Sequence, residues 1–366
     1  MRIGNTAASW EPHKRSIRHS SFQGAIFATT LSCMPWHGVR SRTDIGEMKC
    51  VLSSLLRVSN HTLASEPLAK RLLRNAVVVF LYHDVSDHPS EFNRMFHLNV
   101  PPQVFAQQLD LIGQHFHFIT PDQLLAGDYR TPAALITFDD RNAGVVHEAL
   151  PILKAKGVSA VLFVNMGPSR GELCWAGLVA FLQYCEPQFS ARAVRQPYDF
   201  VHFTESEITQ YLETIDTQDL FERVRAFRGT VADEADLQTL STEPLLFLGS
   251  HLYNHYNART LSPQRLRTEY WKNQQFLDAH PRGVRLFSYP FGQPQTCHDE
   301  QTTALLAEEG ARAVFSAYAL PNFSREAILY HRVPMFEDVR SVGELYRVIL
   351  FNYLRARIGL APVALA

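Results

Sequence analysis

The feature that most constrains this chain is an alternation. Short runs of β-branched and aromatic residues, too short for helices, are separated by stretches with helical spacing. Val77-Val78-Val79-Phe80-Leu81-Tyr82 is the first run, Ala134-Leu135-Ile136-Thr137-Phe138 the second and Ala160-Val161-Leu162-Phe163-Val164 the third. Continuous apolar runs of this length mark strands buried on both faces. Between them, Val104 to Gln114 places Phe105, Leu109, Leu111 and Ile112 at helical spacing, and Ala143 to Lys156 reads as a helix stopped at Gly157. Such repetition predicts a parallel sheet with helices outside it.

The pattern breaks over 171–243, which is polar and helical in two stretches; Thr204-x-x-Glu207 has the form of a capping box. This segment reads as an insertion at the mouth of the core, in the place of a lid. The alternation then resumes. Leu245 to Leu248, Val284 to Tyr289, Ala313 to Ser316 and Ile328 to Pro334 read as strands. Ser262-Pro263 opens a helix to about Ala279, Thr302 to Glu309 is a helix closed by Gly310, and Arg340 to Ile358 is the last. The expected organisation is a leader over 1–70, a β/α barrel or close relative over 75–340, and a C-terminal helix and tail over 341–366. Active groups belong at the C-terminal ends of barrel strands.

Composition excludes some partners. The 366 residues are 46% hydrophobic, enough for a large core, and the net charge of -1 gives no reason to expect nucleic acid. Five cysteines without a Cys-x-x-Cys pair read as small buried hydrophobes in a reducing compartment. No run of eighteen apolar residues exists, and Gly24 to Met34 is too short and polar for a convincing signal peptide, so a cytoplasmic location is the expectation. Residues 1–70, rich in Ser, Thr, Arg and His, read as a disordered leader or as translation upstream of a true start at Met48. The last helix carries Val342, Leu345, Ile349 and Tyr353 with Arg340, Arg347, Arg355 and Arg357. It suits packing on the barrel, or peripheral contact with a membrane surface.

Two polar pairs follow predicted strands. Asp139-Asp140 comes directly after Phe138, where adjacent carboxylates repel and lose hydration. A bound cation would offset that cost, and so would the first turn of a following helix. His251-x-x-x-His255 stands in the same relation to the strand at Leu245 to Leu248. Two histidines at this spacing can grip one ion or simply be surface or core residues. Together, one Asp and two His at strand ends form a catalytic zinc-type ligand set with open positions.

Thr137-Phe138-Asp139-Asp140, Gly249-Ser250-His251-x-x-x-His255 and Ser288-Tyr289-Pro290-Phe291-Gly292 occur in that order. They resemble the first three motifs of the polysaccharide deacetylase family (the NodB-homology domain, or carbohydrate esterase family 4), in its exopolysaccharide-cluster form. The resemblance spans about Val77 to Val339. It implies an α/β fold, a distorted (β/α)7 barrel, here with a helical insertion after the third strand. It implies a metal-dependent hydrolase that removes an N-acetyl or other N-acyl group from an amino sugar in a polysaccharide, oligosaccharide or lipid-linked glycan. By position, Asp139 is the general base, and Asp140, His251 and His255 hold a divalent metal, usually zinc. The backbone N–H of Phe291 is the oxyanion donor. Tyr82-His83-Asp84-Val85 resembles the opening of exopolysaccharide deacetylases and makes His83 the general acid, with His331 the runner-up.

Some positions depart from the family. Arg141 stands where the family has Gly, a residue that permits positive φ. Ser288 stands where the third motif often has an Arg that orients the base, and Arg332 is the candidate to replace it in space. Leu252 stands where Ser or Thr is preferred. Tyr289, Arg141, Trp175 and Arg332 are candidates for substrate contact, although a Trp in the setting of Trp175 is more often helix-face core. Two alternatives stay open: a deformylase or other C–N hydrolase of the same fold, and a catalytically decayed carbohydrate-binding homologue.

Overall fold

The computed structural model describes residues 66–186, Phe189 and 199–357. Residues 1–65 lie outside these, and with them the expected leader apart from 66–70, which opens a helix.

The strands that form the ring are β1 (Val77–Tyr82), β2 (Ala133–Phe138), β3 (Ala160–Val164), β4 (Leu246–Ser250), β5 (Gly283–Ser288), β6 (Ala313–Phe315), β7 (Leu329–Tyr330) and β8 (Arg332–Pro334); the two-residue strands Asp84–Val85, Asn99–Val100 and His117–Phe118 lie off it. The helices that matter below are α1 (Glu66–Leu73), α2 (Pro102–Gly113), α3 (Leu150–Lys156), α4 (Trp175–Cys185), α5 (Glu205–Leu212), α6 (Leu220–Arg228), α7 (Pro263–Ala279), α8 (Glu300–Glu308) and α9 (Val342–Arg357).

The strands pair in the order β7-β6-β5-β4-β3-β2-β1-β8, every ladder parallel. β7 and β8 are one extended segment divided at His331. Its first half pairs with β6 and its second with β1, so it joins the two edges and closes the ring. The expected distorted (β/α)7 barrel is observed.

Strand periodicity divides the core into two layers. Val77, Val79, Leu135, Val161, Phe163, Phe247, Leu286, Phe315 and Tyr330 pack together in the barrel interior. The alternate residues Val78, Phe80, Ile136, Leu162 and Leu248 pack outward against α2, α3 and α9. In α9, Leu345, Tyr346 and Ile349 are buried in this outer layer, so the helix packs on the barrel. No helix among the described residues is long and apolar enough to cross a membrane.

Local chemistry explains most boundaries. Ser262 caps α7 by accepting from the N–H of Arg265, with Pro263 in the first turn. The Thr204 and Glu207 capping box is formed. The stretch read as one helix from Ala143 to Lys156 instead begins as a π-helical turn, Val145–Ala149, before α3. Pro151 has no N–H to donate, and the preceding turn loosens to accommodate it.

The insertion has its own core. Trp175, Val179, Phe181 and Leu182 of α4 pack on Ile208 of α5 and Val224 and Phe227 of α6, with Phe92, Phe96 and Tyr256 completing the cluster.

Candidate metal centre

Extending the strand alternation past the strand ends places the functional groups. Residues 133, 135 and 137 of β2 face inward, and Asp139 continues that face. His83 after β1, His251 after β4, Ser288 in β5 and Arg332 in β8 hold the same parity. The barrel interior is thus apolar below and polar at its C-terminal mouth.

Asp139 sits on its own salt bridge. Arg332 donates from Nη1 to Oδ1 and from Nη2 to Oδ2, both at 2.7 Å. Ser288 Oγ donates to Oδ2 at 3.2 Å and accepts from Arg332 Nη2 at 2.7 Å. Arg332 is further fixed by its Nε bond to the Ser316 carbonyl, at 3.0 Å. Arg332 therefore reaches the carboxylate from the closing strand, beside Ser288. Burial alone would raise the Asp139 pKa; the Arg332 guanidinium, with His251 and His83 adding to it, outweighs burial and holds the carboxyl below its ordinary range.

Asp140 faces elsewhere. Its backbone is left-handed, φ 67°, as is that of Arg141, φ 45°. This twist turns the second carboxylate sideways. Oδ1 lies 2.9 Å from His255 Nε2 and 3.5 Å from His251 Nε2, and Oδ2 lies 3.4 Å from Arg228 Nη2. His251 Nε2 is also 3.8 Å from Asp139 Oδ2. The three candidate ligand atoms of Asp140, His251 and His255 lie within 4.8 Å of one another, and all three residues are buried.

The protonation pattern fits a cation. His251 Nδ1 is 2.8 Å from the Ser288 carbonyl, which can only accept, so Nδ1 carries the proton. Nε2 is then the ring nitrogen that faces the two carboxylates, in the position of a ligand atom to a cation between them. Burial pushes His255 down, which favours the neutral ligand form, although Asp140 pulls the other way. Burial pushes Asp140 up, but His255, His251 and Arg228 overcome it and hold its carboxyl well below the ordinary range. The donor set, one carboxylate oxygen and two imidazole nitrogens, is that of a divalent transition ion.

The loop carrying the histidines is held by buried polar groups. Leu252 and His255 have φ of 58° and 62°. Asn165 Nδ2 donates to the carbonyls of His251 and Leu252, and Glu269 of α7 accepts from the Asn254 N–H at 2.9 Å. Phe291, also at positive φ (61°), sets its ring edge-on to His255 with centroids 4.9 Å apart.

The two candidate acids have different surroundings. His83 is partly exposed; burial pushes its pKa down, while Asp140 and Asp139 pull it up, so both aspartates lie within electrostatic reach. His331 Nδ1 instead pairs with Ser316 Oγ at 2.9 Å, its ring lies edge-on to Tyr318, and its pKa is pushed down by burial.

The side chains considered for substrate contact are all buried. Arg141 donates from Nε to Ser169 Oγ at 2.9 Å, and Tyr289 stacks on His298 with centroids 4.5 Å apart. Trp175 packs on Tyr256 at 4.8 Å, and Arg332 is committed to Asp139. A sugar ring needs an exposed face to lie on, and none of these offers one; as placed they anchor and pack. The sequence reading missed Arg228, Asn142 and Asn93. Arg228 Nη1 donates to Asn142 Oδ1 at 2.7 Å, and Asn93 Nδ2 donates to the same oxygen at 3.2 Å and to Asp84 Oδ2 at 2.8 Å.

No known family profile and no curated protein matches the sequence. Solved structures do match. The deacetylase PplD of Streptococcus pyogenes, solved in complex with acetate, superposes with a TM-score of 0.51 at 15% identity, over 75% of this chain and 98% of that one. IcaB of Ammonifex degensii gives 0.50 at 21% identity, over 74% and 97%. The barrel is the NodB-like one. A de-N-acetylase of Aggregatibacter actinomycetemcomitans agrees, with 0.50 at 13% identity over 75% and 100%. At these identities the likeness establishes the fold; within the NodB-like barrel, chemistry must be argued from the side chains.

Proposed function

We propose that the chain is a metal-dependent carbohydrate N-deacetylase, a hydrolase of the C–N bond between an acyl group and an amino sugar. The observation that carries this reading is the convergence of Asp140, His251 and His255 beside an aspartate that is paired separately with Arg332. The solved deacetylases sharing the barrel support it.

Asp140, His251 and His255 would hold the ion, zinc in this reading, which supplies Lewis acidity toward water and the acyl carbonyl. Asp139 receives the proton of the attacking water; its pairing with Arg332 keeps it ionised and aimed inward. The Arg332 bonds also keep Asp139 from swinging over to become a further ligand. In this reading the backbone N–H of Phe291 donates to the developing oxyanion. His83 delivers a proton to the nitrogen as the C–N bond breaks; burial, which disfavours its charged form, strengthens it as an acid. The products are a free carboxylate and a free amine.

The experiment is release of acid from N-acetylated glucosamine oligosaccharides by zinc-loaded protein. Wild type should liberate acetate; Asp139→Asn should lose about 10²–10⁴-fold in kcat while keeping its bound zinc. Formate release from an N-formyl sugar in preference to acetate would move the assignment to a deformylase. A wild-type protein that binds no stoichiometric divalent ion and releases neither acid would sink the reading.

A further inference from the structure

Arg228, the last residue of α6, is almost wholly buried, and it belongs to the insertion rather than the barrel. Its guanidinium lies 4.7 Å over the ring of Phe92, one nitrogen donates to Asn142, and another sits 3.4 Å from Asp140 Oδ2. The other oxygen of that carboxylate faces the histidines. Asp140 is thus divided, with one oxygen toward the insertion and one toward the cation site. A buried carboxylate needs a counter-charge, and Arg228, with Nη2 3.4 Å from Oδ2, is one that stays charged at any working pH. Arg332 is already spent on Asp139. Among the described residues, Arg228 is the arginine within ion-pair distance of Asp140.

We propose that Arg228 is a positioning residue that supplies the counter-charge of Asp140 when no cation is bound, so that the insertion holds the ligand set open and ready. This rests on the metal-centre reading. The insertion also braces a second ligand. Tyr256, next to His255, packs in the insertion's core, and its hydroxyl donates to Glu205 Oε1 of α5 at 3.2 Å. The helical segment is therefore a wall of the site, and deleting it would remove the support of two ligands.

Asp84 and Cys174 also act on the charge of Arg228, so the test must separate partners. Thermal melting of the full chain is recorded in chelator and with added zinc for wild type, Arg228→Gln, Arg228→Lys and the double variant Asp140→Asn/Arg228→Gln. In chelator, Arg228→Gln should melt roughly 10 °C below wild type, as expected for an uncompensated buried carboxylate in a domain of this size. Zinc should recover most of that loss, giving a larger metal-induced rise than in wild type. Arg228→Lys should fall between. The double variant should recover in chelator, because no carboxylate is left uncompensated; it also decides the matter if Arg228→Gln alone fails to fold. Equal melting of Arg228→Gln and wild type in chelator, no recovery with zinc, or no recovery in the double variant each overturns the proposal. The last result would assign the arginine to Asp84 or Cys174. A wild type that binds no zinc overturns the metal reading instead, and the chelated comparisons still decide on Arg228.

Discussion

Asp139 and Asp140 are neighbours in sequence with separate partners, and backbone twist is what separates them. Residue 139 keeps the inward parity of β2, while the left-handed φ of Asp140 and Arg141 breaks it. Two consecutive non-glycine residues in that region cost about 1–3 kcal/mol each. The buried anchorage of Arg141 to Ser169 and to the Asp140 carbonyl compensates. Substitution there should reverse the usual order of small residues: Arg141→Gly should be more stable than Arg141→Ala by about 1 kcal/mol in urea titration, since glycine alone adopts this φ without strain. Arg332→Met should act differently. It strands a buried carboxylate, with a stability loss of about 3–5 kcal/mol. It also removes the strongest influence lowering the Asp139 pKa. A base with a raised pKa is lost at higher pH, so the acid limb of kcat/KM should move upward on zinc-loaded protein; an unmoved limb would show that Asp139 is not the titrating base. The sequence showed both aspartates because paired carboxylates at a strand end are locally costly. Arg228 was not legible. In α6 it looks like any basic residue closing a helix, and its Asn142 partner lies 86 residues away.

Among elements, the strands were the easiest to read, since runs buried on both faces have no polar positions to blur them. What the runs could not reveal was register. The convergence of His83, Asp139, His251, Ser288 and Arg332 follows from parity once the ladders are aligned, as in Val77↔Ala133 and Val79↔Arg332, and alignment is a tertiary property. The same holds for the last strand, read as one run from Ile328 to Pro334. Nothing in its composition marks the change of partner at His331. The insertion was read as helical, as a lid carrying Trp175, but not as a support for the ligand set, because its apolar positions resemble those of any helix cluster. Its attachment can be tested at Gly229, which ends α6 at φ 80°, where an added Cβ would come within 2.5 Å of Ser90 Cβ. Gly229→Ala should displace the end of α6. Melting temperature and zinc affinity should fall together; if only the first falls, α6 is not coupled to the centre.

Across the whole molecule, acid should weaken the fold through its buried histidines. Burial lowers the pKa of His115, His280, His298 and His331, that of His298 from 6.5 to about 4. Below 6.5 the unfolded chain binds protons that the folded chain refuses, so stability is full above that pH and declines as pH falls toward 4. Urea midpoints should drop across this window, and His298→Gln should make the drop shallower; an unchanged slope would mean that His298 is protonated in the folded state. The closing segment has a different consequence. The edge of β1 that pairs with Arg332–Pro334 has no partner until that segment exists. On a ribosome, roughly 250 residues separate the appearance of Tyr82 from that of Arg332, which at about 5–20 residues per second is tens of seconds. For that interval the nascent chain carries an exposed apolar strand edge, the kind of template on which neighbouring polypeptides aggregate, and a holdase chaperone would find its first foothold there.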